Sequence, residues 1–198
     1  MRMMALVLVS LITLSACAVR PPAPHVTGEW QALEAWQAPP APTDWQLDGR
    51  VSMTAADQSA TVSIRWRETA DGYQIDLRGA LGAGRVRVTG EEGQAILATA
   101  DGQRHSAGSP AELMQAVTGY DLPVEFLRWW VVGQPVPWLD GRVRVDEAGR
   151  ALAMQQGGWD VRYDDYQTAD DYPLPGRVAV SRHDIGVRLA VQQWDVGP

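Results

Sequence analysis

The sequence predicts a mainly β (α+β) fold: a single curved, barrel-like antiparallel sheet of about ten to eleven strands, with two or three helices covering one side. Three observations predict it. Apolar and polar residues alternate with a period of two through most of the chain after Trp45. Glycine-containing segments separate the alternating runs at hairpin spacing. Two segments near the middle carry helix start and stop signals instead.

The N-terminal segment, residues 1–16, is predicted to be a signal peptide. A basic Arg2 precedes an apolar run of roughly ten residues, which is too short for a membrane span. The run ends in Leu-Ser-Ala-Cys at residues 14–17, which is similar to a bacterial lipobox, and Cys17 is the only cysteine of the chain. We therefore expect Cys17 to be lipidated. The following Ala18 favours export to the outer membrane, since an Asp there would retain a lipoprotein at the inner membrane.

A lipidated, proline-rich tether is predicted for residues 17–27, followed by one domain over residues 28–198. Where the tether meets the domain, residues 27–36 fit a short helix with Thr27 as its cap. Because the chain has one cysteine, it has no internal disulfide, and its core must stabilise the fold.

The first half of the domain is predicted to be a series of antiparallel hairpins. Five alternating or apolar runs indicate strands, with turns at Asp71-Gly72, Gly82, Gly84 and Gly93. The runs lie at residues 45–53, 62–67, 73–78, 85–89 and 95–99.

Two helices are predicted next. Ser109-Pro110-Ala111-Glu112 has the form of a capping box with proline at the first helical position, and Gly119 ends this helix. Pro123 precedes a second helix at residues 124–132, which Gly133 and Pro135 stop.

Alternation then resumes, and it predicts five further strands near residues 143–145, 151–155, 159–163, 178–180 and 185–196. The acidic pairs Asp164-Asp165 and Asp170-Asp171 have no calcium-loop pattern around them and indicate a solvated loop.

Composition excludes several classes of function. All 17 basic residues are arginine, so a phosphate-loop lysine and a Schiff-base lysine are excluded. The net charge of −7 disfavours nucleic acid and predicts no polybasic attraction to anionic lipid. The three histidines are far apart and lack metal-ligand spacing, so we expect no metal site and no catalytic residues.

Tryptophan usage is the last compositional signal, with nine Trp against one Phe. Trp66, Trp129, Trp130, Trp138, Trp159 and Trp194 all fall in or beside elements with a predicted buried face. Large apolar side chains on a curved sheet fill a core or line a ligand-sized space, and both interpretations stay open.

Six segments, taken in order and spacing, carry a resemblance to a known family. They are the lipobox at residues 14–17 and the segments 45–50, 73–82, 127–133, 158–166 and 185–194, the last ending in Gln193-Trp194. The chain resembles the LolB family of outer-membrane lipoprotein receptors over nearly its whole length. Leu81 matches the family's protruding leucine, but the proline that commonly precedes that leucine is absent, so we expect a more flexible turn.

The resemblance implies an incomplete antiparallel barrel whose helices form a lid over an apolar cavity, with no cofactor and no enzymatic activity. It implies a lipid-anchored protein on the periplasmic face of the outer membrane. Its partners would be a LolA-like periplasmic carrier, the acyl chains of lipoproteins and the outer-membrane bilayer. We expect a monomer that inserts Leu81 into the membrane and presents its acidic surface to a basic rim of the carrier.

Candidate residues for the acyl-binding cavity are the inward members of the alternating strands and the apolar residues of the two helices. These residues also fit a solid core. They are Leu47, Val51, Met53, Val62, Ile64, Trp66, Ile75, Leu77, Val86, Val88, Leu113, Val117, Leu127 and Trp130.

Two other classes of function remain as alternatives. One is a structural or adaptor lipoprotein of an envelope assembly complex, which would have a filled core and no ligand cavity. The other is an anchored envelope hydrolase, which would show convergent polar groups with shifted pKa values in a cleft.

Overall fold

The computed structural model describes residues 28–55, 58–79, 84–91, 93–118 and 122–197. The predicted signal peptide, Cys17 and Leu81 lie outside these residues. The strands are β1 (Gln31–Ala32), β2 (Trp45–Ala55), β3 (Gln58–Glu68), β4 (Gly72–Gly79), β5 (Arg85–Glu91), β6 (Gln94–Thr99), β7 (Arg104–Ala107), β8 (Gly141–Val145), β9 (Ala151–Gln156), β10 (Trp159–Asp164), β11 (Gln167–Ala169), β12 (Tyr172–Leu174), β13 (Arg177–Arg182) and β14 (Ile185–Val196). The helices are α1 (Pro110–Thr118) and α2 (Val124–Trp130), and a 3-10 turn spans Leu33–Ala35.

Twelve strands form one antiparallel sheet in the order β1-β8-β9-β10-β13-β14-β2-β3-β4-β5-β6-β7, and β11 and β12 pair separately. The prediction of a large antiparallel sheet with two helices is confirmed. The predicted count of ten to eleven strands is wrong, and the sheet does not close, because its edge strands β1 and β7 do not pair with each other. The strands that sequence reasoning missed are short, and β7 is polar and exposed along most of its length, so none gives a clear alternation.

Of the helix predicted at residues 27–36, the described part contains only the 3-10 turn at Leu33–Ala35. Gln31 and Ala32 instead pair with β8, opposite Val143 and Arg142. The Trp30 ring packs beneath the guanidinium of Arg142, 4.8 Å from the ring centroid. Pairing with the sheet edge and a cation–π contact therefore override the weak local preference for a helix.

The alternation predicted for β2 to β5, and the apolar run predicted for β6, place a row of buried residues across the sheet. Leu47, Trp66, Ile75, Val88 and Leu97 lie opposite one another on five neighbouring strands, and all are buried. The next residues along the strands form the outer face. One buried cluster draws side chains from β2 to β6, from β8 to β10 and from β12 to β14, so the sheet must bend around a shared core.

A register shift in β14 explains the spacing of its apolar residues. Val187, Leu189 and Val191 alternate, but the next buried residue is Trp194, and the pairing with β2 shifts between Val191 and Gln193. The bulge re-aims Trp194 into the core, where its Nε1 donates a hydrogen bond to the Pro175 carbonyl at 3.0 Å.

Helix α1 begins at Pro110 as its sequence predicts, although the Glu112 carboxylate bonds one residue before the cap residue Ser109. The Ser109 hydroxyl accepts a hydrogen bond from the Glu112 N–H at 3.1 Å, and the Glu112 carboxylate accepts one from the Gly108 N–H at 3.1 Å. Helix α2 follows and is tied to α1, because Glu125 Oε1 accepts a hydrogen bond from the Ala111 N–H at 3.1 Å. The two helices thus contact each other, and α1 packs beside β6 and β7.

Candidate functional site

A cavity of about 510 Å³ lies between the inner face of β3 to β5 and the two helices. Its volume falls in the range of small-ligand sites. Aromatic and aliphatic side chains share its wall with four charged ones. The lining residues are Trp66, Glu68, Ala70, Asp71, Gly72, Tyr73, Ile75, Gly90, Gly93, Pro110, Val124, Glu125 and Arg128.

The strand register positions the cavity wall. Glu68 lies opposite Tyr73, and Tyr73 lies opposite Gly90. A Cβ at position 90 would lie 2.1 Å from Tyr73 Cε1, so only glycine leaves room for this ring. The Tyr73 hydroxyl is buried and has no hydrogen-bond partner among the described residues. Burial, reinforced by the Glu68 and Glu125 carboxylates, raises the pKa of Tyr73 to about 12.

Glu68 is the unusual group of this wall, because it is an acidic side chain only 2% exposed. Its Oε1 lies 2.6 Å from Arg128 Nη2 on α2, and its Oε2 accepts a hydrogen bond from Trp66 Nε1 at 3.0 Å. Burial raises the pKa of Glu68 to about 7, against the opposing effects of the Arg128 charge and the Trp66 hydrogen bond.

A second cavity, of about 270 Å³, lies on the other side of this ion pair. Glu68, Ala70 and Arg128 line both cavities, and Trp45, Trp129 and Val132 are among the remaining residues of the second one. The Glu68–Arg128 ion pair therefore lies between the two spaces, and it links α2 to the sheet.

An apolar strip lies on the same inner face toward the opposite end of β4 and β5. We define it as the half-buried side chains of Val51, Met53, Val62, Leu77 and Val86. They lie on four neighbouring strands, at the end where residues 80–83 connect β4 to β5. This end is the turn end of the sheet.

The structure divides the fourteen candidate cavity residues into groups. Trp66 and Ile75 line the larger cavity. Leu47, Ile64, Val88, Leu113 and Trp130 are buried in the core. Val51, Met53, Val62, Leu77, Val86 and Leu127 are half-buried, and the side chain of Val117 lies outside the described part.

Sequence reasoning missed the charged and polar residues of the cavity, above all Glu68, Tyr73 and Arg128. A signal for Glu68 was present, because Ile64, Trp66 and Glu68 occupy successive inward positions of β3. The grouping of Trp138 with residues of buried faces was wrong. Trp138 is 63% exposed and contacts Trp129 edge-on, with the ring centroids 6.1 Å apart.

Over the described ranges, no group of three or more His, Cys, Asp or Glu side chains is arranged to hold a metal ion. The helices in the same ranges are all too short or too polar to cross a membrane.

The solved structures that match this chain share its fold. A putative outer-membrane lipoprotein-sorting protein domain from Vibrio parahaemolyticus matches with a TM-score of 0.53 and 12% identity, covering 78% of this chain and 85% of that one. A LolA superfamily protein from Nitrosomonas europaea matches with a TM-score of 0.51 and 10% identity, covering 78% and 86%.

Sequence comparison is more specific. Proteins named outer-membrane lipoprotein LolB are 37% identical over 189 residues in Alkalilimnicola ehrlichii and 34% identical over 188 residues in Halorhodospira halophila. The alignments cover 94% of this chain in both cases, and 94% and 92% of the relatives. The family described as "Outer membrane lipoprotein LolB" matches residues 43–194. The chain therefore belongs to the LolB family of outer-membrane lipoproteins.

Proposed function

We propose that this protein accepts the acyl chains of lipoproteins from a LolA-like periplasmic carrier and delivers them to the outer membrane, without a chemical reaction. The observation that carries the proposal is the cavity of about 510 Å³ on the inner face, together with the apolar strip at the other end of that face. A filled core, which an adaptor lipoprotein would have, offers no such space.

Burial of hydrocarbon supplies the driving force. Each buried methylene contributes about 0.8 kcal/mol, so one acyl chain avoids roughly 10 kcal/mol of exposure to water. A receptor with a higher affinity than the carrier accepts the chains without an energy source. The bilayer then removes them because it is a still better apolar environment.

Charge around the cavity favours a basic carrier rim. Asp71 and Glu125 line the cavity, Asp71 is exposed and Glu125 is half-buried. Arg128 is the one cation among the lining residues, and it is paired with Glu68. The acidic excess here complements a basic surface and speeds encounter with it. Leu81, which lies in the sequence between β4 and β5, is the residue we assign to membrane insertion, and Cys17 to the lipid anchor.

A matched pair of substitutions on β2 tests the cavity. Met53 is half-buried in the apolar strip, and the adjacent Thr54 is exposed on the outer face. We expect Met53→Glu to weaken binding of a fluorescent fatty acid at least tenfold, because a carboxylate would be buried against hydrocarbon. Thr54→Glu adds the same charge one residue away and serves as the control.

The same variants are then compared in lipoprotein transfer from the purified carrier to outer-membrane vesicles that contain the receptor. The Met53→Glu protein should slow transfer, and the Thr54→Glu protein should not. Equal fatty-acid affinity and equal transfer rates in the two variants would exclude the inner face as the acyl site. In cells depleted of this protein, lipoproteins should accumulate on the soluble carrier.

A further inference from the structure

The outer face of the sheet carries one neutralised row of charges. Asp48, Arg65, Asp76 and Arg87 lie opposite one another on β2 to β5. Arg65 Nε lies 2.7 Å from Asp48 Oδ1, and Arg87 Nε lies 2.9 Å from Asp76 Oδ1. Asp76 also accepts from Arg85 Nη2 at 2.9 Å. These arginines have acidic partners within the sheet.

Toward the turn end, the outer face changes character. Four arginines, Arg50, Arg78, Arg162 and Arg188, are exposed there, and none has an ion-pair partner among the described residues. We call these four the arginine patch. Two small uncharged residues separate them across the strands: Ser63 lies between Arg50 and Arg78, and Ala179 lies between Arg162 and Arg188.

One strand pair in this region places two like charges directly opposite each other. Arg78 on β4 lies directly opposite Arg85 on β5. Like charges at directly opposed positions destabilise a strand pair, and only Arg85 is relieved by an aspartate. Such an arrangement is expected where an anion from outside the protein neutralises Arg78, the arginine without an aspartate partner.

The position of the patch indicates the source of that anion. Arg78 is three residues from Leu81 along the chain, so their Cα atoms are at most about 10 Å apart. If Leu81 enters the hydrocarbon boundary of the membrane, Arg78 would therefore lie at the depth of the lipid phosphates. Guanidinium groups bind phosphate through paired hydrogen bonds.

We infer that the arginine patch binds the phosphates of anionic lipids in the membrane surface and so brings the end of the sheet where β4 and β5 are connected toward the bilayer. The inference rests on the proposed function for the role of the turn. The net charge of −7 predicts no attraction to anionic lipid. The inference differs from that prediction because the net charge sums the acidic surroundings of the cavity and this basic face, which lie on different parts of the surface.

Vesicle binding without cargo or carrier tests the patch. The protein is the mature chain, residues 17–198, with Cys17→Ala so that no acyl anchor contributes. It is mixed with vesicles of phosphatidylcholine alone or of equal parts phosphatidylcholine and phosphatidylglycerol. We expect Arg50→Gln/Arg78→Gln to weaken binding to the anionic vesicles about thirtyfold, because each arginine contributes roughly fivefold to the affinity and the two factors multiply. Binding to neutral vesicles should not change.

Two controls separate the patch from total charge and from arginine geometry. Arg104→Gln/Arg142→Gln removes the same charge from exposed positions on β7 and β8 and should leave anionic binding near the unmodified level. Arg50→Lys/Arg78→Lys keeps the charge and should retain most of the affinity. High salt should abolish the preference for anionic vesicles by screening it.

Equal losses in the patch and control double variants would overturn the inference. It would also be overturned if the patch variant bound vesicles normally but accepted cargo from the carrier slowly, since the face would then dock an acidic protein surface. Because no cargo is present in the vesicle assay, its outcome does not depend on whether lipoproteins are the ligand of the inner face.

Discussion

Neutralising Glu68 is predicted to stabilise the protein above neutral pH. The folded protein holds the pKa of Glu68 at about 7 instead of 4.5 because the carboxyl is buried. The folded state therefore binds more protons than the unfolded state between these values, and the contribution of Glu68 to stability declines as pH rises through this window. This pKa shift corresponds to a contribution of about 3 kcal/mol to the free energy of unfolding, which is present below pH 4.5 and lost by pH 8.

The Glu68→Gln variant keeps the shape of the protonated side chain and removes the buried charge. Arg128 loses its partner, but its side chain is 43% exposed and solvent can screen it. We expect the unfolding free energy to rise by up to about 3 kcal/mol at pH 8 and to change little at pH 4.5. Urea denaturation of the unlipidated chain across this pH range measures both values.

The reciprocal variant Arg128→Gln supplies the control. It leaves the Glu68 carboxylate buried without its cation, so it should destabilise the protein at pH 8 by roughly 1–2 kcal/mol and have little effect at pH 4.5. The reasoning is refuted if Glu68→Gln loses stability at pH 8, because the ion pair would then contribute more than desolvation costs. An unchanged slope of stability against pH in that variant would refute it equally.

Three further predictions concern other parts of the molecule. The buried Gln156 Oε1 accepts hydrogen bonds from Trp130 Nε1 at 3.0 Å and from the Val136 N–H at 2.9 Å. Because Gln156→Leu leaves both donors buried without an acceptor, it should lower the free energy of unfolding by about 3 kcal/mol in urea denaturation. A decrease below about 1 kcal/mol contradicts this. Gly49→Ala should lower the melting temperature by several degrees, because the new Cβ would lie 2.3 Å from the Ala190 carbonyl oxygen, and an unchanged melting temperature would count against that contact. Leu81→Glu should slow delivery to the membrane while leaving fatty-acid binding intact, whereas Leu81→Met should preserve both; a normal transfer rate for Leu81→Glu argues against membrane insertion.

The sequence predicted the elements in which apolar and polar residues repeat regularly or in which a capping motif is present. The β2 to β5 runs alternate cleanly because one face is buried and the other is wet. The α1 capping box specifies the bond from the Glu112 N–H to the Ser109 hydroxyl, which forms, whereas its return bond is made by the Gly108 N–H instead of the Ser109 N–H. Strand β12 has only three residues, including Pro173, and pairs because β11 lies beside it. Such strands are determined by tertiary pairing, which leaves no periodic trace in the sequence.

The candidate site was predictable only in its apolar part. Inward positions of the strands were identified, but a two-residue period gives no reason to separate Leu47, which is fully buried in the core, from Ile75, which lines the cavity. That distinction depends on where α2 crosses the sheet. The ion pair between Glu68 and Arg128 joins residues 60 positions apart in sequence, and no local pattern connects them.

The two ends of the inner face differ in chemistry, and the difference gives the proposed transfer a direction. The cavity reaches Gly72 at the start of β4, whereas residues 80–83 follow its end at Gly79. These ends are separated by about 23 Å at the rise of an extended strand. Acidic Asp71 and Glu125 are at the first end, suited to a basic carrier, and the arginine patch is toward the second, suited to lipid phosphate. Since the apolar strip leads from the cavity toward the second end, hydrocarbon accepted at the acidic end would move toward the bilayer without leaving an apolar surface.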